Sequence, residues 1–414
     1  MHGLPPCCVD ANRTATVGFL VNSYDYVVIG AGVIGTSVAF HLTKLGAKSV
    51  ALLEQQSIGT GTTSQSSGIL RTHYSIEQNV QLARASWDIF NNFSSYLGDE
   101  EASCALVKCG YLISARDDDK LAPLRASLET QIRMGIDVRI LSPLEATERL
   151  PIAQFNDAAL IAFEPEAGFA DPYLVATSFA RSARRLGAHV FQGTRVTGLI
   201  WKGRRIAGVE TNRGPIACGT LVSTQNIWST ELAAWIGVNL PIHAERHSVL
   251  VLESSSGYSL QMPVFKDLGS SGMLYYRSYG TRQMLVSEGN AGTTLEFVNA
   301  DQADIPLDYI ASVGEQVAQR FPAYSSAGLA SSWSGVYDVT PDWNPVLGSI
   351  AGCEGLVVGF GFSGHGFKLS PTVGKLLAQC ALQEPTDVSL RPYSIDRFNN
   401  GALLRGAYGG GAVS

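Results

Sequence analysis

The sequence is poor in the features that mark membrane proteins and nucleic-acid-binding proteins. Its 414 residues contain no apolar run approaching the roughly 20 residues that a membrane-spanning helix needs. Charged residues make up 16% of the chain, the formal net charge is −6, and no dense basic run is present. These absences predict that the chain has no membrane span and no nucleic-acid partner.

Cysteine is also scarce, and its spacing is irregular. The seven cysteines are an odd number and contain no C-x-x-C pair and no zinc-site pattern. We therefore expect no metal site, reduced thiols and a cytoplasmic protein. Residues 1–23 lack a sustained apolar core and are predicted to be an N-terminal extension without a secretory signal. Residues 399–414, rich in Gly and Ala, are predicted to be a flexible tail.

A dinucleotide-binding pattern stands near the start of the chain. An apolar run typical of a strand stops at Gly30, and Gly32 and Gly35 complete the spacing G-x-G-x-x-G. Apolar residues at helical spacing follow. A second apolar run, residues 50–53, then ends at Glu54. This order of strand, glycine turn, helix, strand and carboxylate is typical of a βαβ unit that binds a dinucleotide.

Each residue of the pattern has a physical role. Gly30 permits the tight turn, Gly32 lets a pyrophosphate approach the backbone, and Gly35 lets the helix pack closely on the strand. The backbone N–H groups at the helix start face the phosphates. Glu54 stands where a carboxylate can accept hydrogen bonds from an adenosine ribose. The pattern by itself leaves FAD and NAD both open.

The order of predicted elements favours FAD. After a hydroxyl-rich loop that ends at Arg71, the βαβ rhythm is interrupted, returns near Asp171, and is interrupted again. A simple NAD dehydrogenase rarely needs such interruptions. The predicted domains are a discontinuous cofactor domain of residues 24–105, 166–240 and 332–398, and a substrate domain of residues 106–165 and 241–331.

Two late segments carry the most specific motifs. The first contains Tyr337-Asp338-Val339-Thr340-Pro341-Asp342, and the second, Gly361-Phe362-Ser363-Gly364-His365-Gly366-Phe367-Lys368, opens a predicted helix. Together with the glycine pattern, they resemble the D-amino-acid-oxidase superfamily of flavoproteins, and within it the sarcosine oxidase and dimethylglycine dehydrogenase branch. The resemblance covers roughly residues 24 to 395.

The resemblance implies an α/β fold, in which an FAD-binding Rossmann-like domain of the glutathione-reductase type carries an inserted α+β substrate domain on a mainly antiparallel sheet. It also implies a set of residues that bind FAD through the ADP half, the early loop and the late helix. These residues are Gly30, Gly32, Val33, Ile34, Gly35, Glu54, Gln55, Thr62, Thr63, Ser64, Ser67, Gly68, Val196, Gly361, Gly364, His365, Gly366, Phe367 and Lys368.

For the substrate, the resemblance implies that Arg71 clamps a carboxylate and that Tyr337 and Lys368 line the same pocket. His365 is expected beside the flavin. The implied reaction is oxidation of a small secondary, N-methyl or related amino acid. Hydride passes to flavin N5, and the resulting imine hydrolyses.

The sequence departs from the family pattern at three places. Gly335 and Gln65 stand where relatives attach flavin through a cysteine or a histidine, so FAD is expected to be noncovalent. Monomeric sarcosine oxidases carry an oxygen-activating lysine on a pocket strand, and the matching residues 284–287 contain none. The electron acceptor is therefore oxygen or another acceptor. The chain is alternatively a flavin-bearing subunit that passes electrons to a partner, or a protein that binds FAD for stability only.

Overall fold

The computed structural model describes residues 22–289, 292–295 and 305–408. Its strands are β1 (Asn22–Ile29), β2 (Val50–Leu53), β3 (Ile69–Leu70), β4 (Tyr111–Ala115), β5 (Arg139–Ile140), β6 (Leu160–Glu164), β7 (Gly168–Phe169), β8 (His189–Phe191), β9 (Val196–Lys202), β10 (Arg205–Thr211), β11 (Ile216–Ser223), β12 (His243–Glu253), β13 (Val264–Asp267), β14 (Tyr275–Tyr279), β15 (Gln283–Ser287), β16 (Thr293–Leu295), β17 (Gly328–Val339), β18 (Val346–Ser349) and β19 (Leu356–Phe360). Its helices are α1 (Val33–Lys44), α2 (Glu77–Asn91), α3 (Phe93–Leu97), α4 (Leu121–Arg133), α5 (Pro143–Arg149), α6 (Pro172–Arg185), α7 (Ser229–Ile236), α8 (Leu307–Arg320), α9 (Gly366–Ala381) and α10 (Asp396–Asn399). Among the described residues, no helix is long and apolar enough to cross a membrane.

The first sheet is built around the predicted strand–helix–strand unit. Its central order is β18-β19-β11-β1-β2-β8, in which the strands from β19 to β8 pair in parallel and β18 pairs antiparallel. Strands β9 and β10 form an antiparallel hairpin that joins the sheet at β11. Because parallel strands end at the same edge, the turns after β1, β11 and β19 all open toward one side of the molecule.

Successive side chains of β1 and β2 point to opposite faces of this sheet, and both faces are buried. Val28 and Leu52 contribute to a cluster that includes α1, α2, α6 and α9. Val27, Ile29 and Leu53 contribute to a second cluster with the β9–β10 hairpin and α7. A strand buried on both faces must be apolar at every position, which explains the unbroken apolar run before the first glycine.

The second sheet has the order β16-β12-β15-β14-β13-β4-β6-β5, and β17 also pairs with β12. Its pairs are antiparallel except for the parallel pair of β13 and β4. Helices α5 and α8 cover one face through residues such as Val313 and Val317. The opposite face carries His247, Lys266 and Tyr275, which are discussed below as lining residues of a cavity.

Several boundaries differ from the sequence prediction. The helix expected over residues 77–96 breaks at Asn92, whose backbone is not helical (φ −123°, ψ 35°), and continues as α3. The domain boundary expected at residue 331 falls inside β17, because that strand pairs with β12 along its whole length. The predicted N-terminal extension, except for its last two residues, which begin β1, lies outside the described residues.

The segment around the start of the predicted tail contacts the core at a few residues. Arg397 forms a buried ion pair with Asp342, with Nε 2.7 Å from Oδ2, and Leu404 donates its backbone N–H to the same carboxylate. Tyr408 is buried, and its hydroxyl lies 2.9 Å from Nε2 of His73. Leu404 and Tyr408 therefore link residues 399–408 to the core, residues 409–414 lie outside the described part, and the flexibility of the tail stays a prediction.

The buried Arg397–Asp342 pair generates a stability prediction. Arg397→Leu leaves a buried carboxylate without its partner, so the free energy of unfolding should fall by about 3–5 kcal/mol. Asp342→Asn in the same chain should restore part of that loss, since no unpaired charge remains. Urea unfolding measures both effects.

The matched control is Arg133→Ala, which removes a solvent-exposed ion pair with Glu77. Exposed pairs contribute about 0–1 kcal/mol, so this variant should unfold almost like the wild type. If Arg397→Leu lowers stability no more than Arg133→Ala does, the buried pair does not anchor the C-terminal segment.

Candidate active site

A large cavity lies where the turns after β1, β11 and β19 meet the face of the second sheet. It contains about 1290 Å³ of empty space, including its open mouth. From the first sheet, Gly32, Thr224 and Gly364 line it; from the second sheet, His247 and Lys266 do so.

The start of α1 forms one end of the cavity. Gly32, Val33 and Ile34 line it, and no side chain caps this helix at its N-cap residue Gly32. The Thr63 hydroxyl accepts the N–H of Val33 at 3.0 Å, and Thr62 and Thr63 also line the cavity. The helix start therefore presents backbone N–H groups and a positive dipole end, which suits a pyrophosphate.

The remaining residues of the glycine pattern shape this end without lining the cavity. Gly30 has φ +93°, and a Cβ at Gly35 would lie 1.8 Å from the Gly30 carbonyl oxygen. Glu54 accepts the N–H groups of Ala31 and Gln56, each at 2.8 Å, and remains partly exposed. The Glu54 carboxylate thus stands directly beside the glycine turn, with lone pairs left for a ribose.

The start of α9 faces the same cavity. Gly364, Gly366, Phe367 and Lys368 line it, and no side chain caps the helix at His365. The preceding turn is held by Asp338, whose carboxylate accepts the N–H groups of Gly361 and Phe362. Burial raises the pKa of Asp338 to about 7, although these N–H groups oppose the shift. Two helix starts therefore face one cavity, an arrangement that fits the two ends of FAD.

Arg71 reaches the cavity from the loop after β3. It is buried, donates a hydrogen bond to the backbone oxygen of His73, and places its guanidinium carbon 4.6 Å from the Tyr74 ring centroid. Behind it, buried Glu164 accepts the N–H and the hydroxyl of Thr72, each at 2.7 Å. Burial raises the pKa of Glu164 to about 7. The hydrogen bond to His73 and the contact with the Tyr74 ring orient the Arg71 guanidinium.

The other two predicted substrate residues also line the cavity. Lys368 is buried, and desolvation together with Arg71 and Lys266 lowers its pKa well below the usual value. Tyr337 stacks on His247 with ring centroids 3.9 Å apart and an interplanar angle of 22°. The structure thus brings Arg71, Tyr337 and Lys368 to one cavity, as expected for residues that share a ligand.

Sequence reasoning missed several lining residues that lie on the second sheet. Lys266 of β13, Tyr275 of β14 and His247 of β12 all project from the same face. Burial and the nearby Arg71 lower the pKa of Lys266 to about 7. Residues 284–287 carry no lysine, as noted above, and Lys266 of β13 is a cavity lysine that sequence reasoning did not consider.

Other predicted cofactor residues lie off the cavity. His365 is fully buried beneath α9, with its ring 5.4 Å from that of Tyr74. Ser64 is exposed and donates its hydroxyl to the Gly61 carbonyl. Ser67 is the exception among these residues, because it lines the cavity. The remaining predicted positions do not line the cavity. Gly68 and Gly361 have positive φ, Val196 begins β9, and Gln55 is exposed.

The two positions that matched covalent flavin attachment face each other across the cavity wall. A Cβ at Gly335 would lie 3.4 Å from the Cβ of Gln65. The Gln65 side-chain oxygen accepts the N–H of Val336 at 3.2 Å, and its backbone oxygen accepts Nε1–H of Trp333 at 3.1 Å. The early loop and β17 are joined here by hydrogen bonds.

The fold and the site together define an oxidoreductase that holds a dinucleotide cofactor beside a basic pocket. Comparison with protein families agrees with this class. A model described as "DAO: FAD dependent oxidoreductase" matches residues 25–380, so the chain belongs to this family of FAD-dependent oxidoreductases. The cradle formed by α1, Glu54 and α9 fits that cofactor.

The sequence identity to individual relatives is low. The chain is 27% identical to sarcosine oxidase subunit beta of Arthrobacter sp, over 92% of this chain and 93% of that protein. It is 27% identical to human mitochondrial sarcosine dehydrogenase over 92% of this chain, but it spans only 42% of that protein. The crystal structure of L-proline dehydrogenase from P. horikoshii superposes with a TM-score of 0.84 at 26% identity, covering 93% of this chain and all of that one.

Proposed function

We propose that the chain oxidises a small secondary or N-methyl amino acid with noncovalent FAD. The observation that carries this proposal is the buried guanidinium of Arg71 in the same cavity as the two helix starts. A guanidinium presents parallel N–H donors that match a carboxylate, so an amino-acid substrate suits Arg71 at this place in the cavity. FAD, when bound, supplies the hydride acceptor.

The chain's own residues bind and orient the substrate. Arg71 fixes the carboxylate end, and its stacking on Tyr74 limits rotation of the guanidinium plane. Tyr337 and His247 form a flat aromatic wall across the pocket. Lys368 adds a second cation at the start of α9. Such positioning aims one C–H bond at the cofactor, and the imine that forms then hydrolyses in water.

The names of the relatives support this substrate class. Sarcosine dehydrogenase, sarcosine oxidase and L-proline dehydrogenase are each named for a secondary amino acid. We further propose the glutathione-reductase type of cofactor domain, built on the first sheet, and a substrate domain built on the second. The latter includes β17, so the last boundary moves from residue 331 to residue 339. Cytoplasmic location stays a prediction from the cysteine pattern.

Arg71→Lys tests the carboxylate clamp. An ammonium cannot reproduce the planar two-pronged donor, so kcat/KM for sarcosine or proline should fall about ten- to a hundredfold. FAD content should stay close to that of the wild type, because Arg71 is proposed to grip the substrate and not the cofactor. Steady-state kinetics with an artificial dye acceptor, together with the flavin absorbance per chain, measure both quantities.

The control is Arg320→Lys, which alters another buried arginine that pairs with Asp267 outside the cavity. It should lower stability and leave KM unchanged. If Arg71→Lys oxidises amino acids as well as the wild type does, the carboxylate clamp lies elsewhere or the substrate is not an amino acid.

Noncovalent binding of FAD is a separate proposal, supported by Gly335 and Gln65 at the two attachment positions. Neither a glycine nor an amide side chain offers a nucleophile for flavin. Denaturing the yellow holoenzyme in guanidinium and passing it through a protein-retaining filter should therefore send the flavin into the filtrate. A flavoprotein with covalently attached flavin serves as the control. Flavin retained with the denatured chain would contradict the proposal.

A second candidate function is a flavin-bearing subunit of a larger dehydrogenase complex. The supporting observation is the similarity to a sarcosine oxidase subunit over nearly the full length of both chains. Residues 284–287 contain no oxygen-activating lysine, which favours this candidate, whereas Lys266 of β13 lines the same cavity. The two candidates therefore differ only in whether the isolated chain can pass its electrons to oxygen.

Reoxidation separates the two candidates. The chain is reduced by substrate without oxygen and then mixed with aerated buffer or with a dye. For a subunit that needs a partner, dye-coupled reoxidation should be much faster than reoxidation by oxygen. Rapid reoxidation in air, with one peroxide formed per flavin, would instead identify an independent oxidase.

A further inference from the structure

Lys266 is a buried cation that the proposed carboxylate clamp does not use. It is 4% exposed, and its ammonium donates a hydrogen bond to the backbone oxygen of Met273. No carboxylate of the described residues lies within ion-pair distance of the Lys266 ammonium, and Asp267 and Glu288 act on its charge only from farther away. Its sequence neighbour Asp267 is instead paired with Arg320, at 2.8 Å. A buried ammonium in this position needs an anion from the cavity or must give up its proton.

The wall of the cavity is shaped around this ammonium. A Cβ at Gly289 would lie 1.7 Å from Nζ of Lys266. Gly289 does not have a positive φ, so its backbone conformation does not by itself require glycine. The absence of a side chain at residue 289 is what lets Lys266 stand at the cavity surface, where both residues are lining residues.

The cavity has more basic side chains than the one carboxylate of a simple amino acid can contact. Arg71, Lys266 and Lys368 all line it, and each is at least nine-tenths buried. The one carboxylate among the lining residues belongs to Asp338, and the turn before α9 already occupies it with two backbone N–H groups. A simple amino acid brings one carboxylate, which Arg71 is proposed to bind.

We propose that the substrate carries a second carboxylate, on its N-substituent or its side chain, and that Lys266 binds this group. The proposal rests on the proposed function, because it assumes that an amino acid occupies the cavity. It narrows the substrate class from small secondary amino acids to dicarboxylic ones. In such a substrate, the two carboxylates lie on opposite sides of the amine, held by Arg71 and by Lys266.

Two unreactive thioethers test the proposal by binding alone. Methylthioacetate has one carboxylate and thiodiacetate has two, and sulfur replaces the oxidisable amine in both. Each is titrated into the FAD-loaded chain while the flavin absorbance spectrum is followed. Wild type should bind thiodiacetate about ten- to a hundredfold more tightly than methylthioacetate, which is the effect of one charge-assisted hydrogen bond.

Two variants should remove this preference by different routes. Lys266→Met deletes the charge, and Gly289→Ala keeps the charge but fills the space that Nζ occupies. Both should bind the two thioethers with similar affinity, while their affinity for methylthioacetate stays within a few-fold of wild type. Lys375→Met, on the outer side of α9 and paired with Asp387, is the control and should keep the preference. Flavin content reports whether each variant folds.

The outcomes separate this inference from the proposed function. If sarcosine reduces the flavin but the preference for thiodiacetate is absent or survives Lys266→Met, the second carboxylate site is wrong and the proposed function stands. If Lys266→Met weakens both thioethers equally, Lys266 holds the first carboxylate, which also overturns the inference. If neither thioether binds and no secondary amino acid reduces the flavin, the proposed function itself fails.

Discussion

The close packing of α1 and α9 is the constraint on which the site depends. A Cβ at Gly374 of α9 would lie 2.1 Å from the hydroxyl oxygen of Ser37 in α1, so the two helices touch where α9 has no side chain. Gly35 brings α1 equally close to its own strand. The distance between the two helix starts is thereby set by backbone contacts, which deform little. A cofactor that spans both starts meets a preformed cradle.

Placing several basic side chains in one buried pocket lowers the stability of the folded chain. Burial lowers the pKa of Lys266 and of Lys368, and each cation that lines the pocket adds to the cost of the others. The chain meets that cost with apolar clusters and with ion pairs placed elsewhere, such as Arg320 with Asp267. Anionic ligands relieve the repulsion, so ligand binding is expected to stabilise the folded chain.

The sequence predicted those parts of the site whose signals are local. The glycine pattern, Glu54 and the late helix are each contained in a short segment, and their spacing is sufficient to place them. Arg71, Tyr337 and Lys368 were found through motifs, and the structure brings them to one cavity. The coarse α/β class was also predictable, because helical and strand periodicities alternate along the chain.

The missed residues depend on long-range pairing. Lys266 and His247 reach the cavity only because β12, β13, β14 and β15 pair in one sheet. The order of strands in a sheet depends on pairing between distant segments, so no single segment predicts it. A charged pair inside an apolar strand, Lys266-Asp267, was the available signal. Adjacent side chains of a strand point to opposite faces of its sheet. When two neighbouring residues are both charged, one of the charges must therefore lie on the buried face, where it needs a partner or a ligand. Asp267 meets Arg320 on one face, which leaves Lys266 to the cavity on the other.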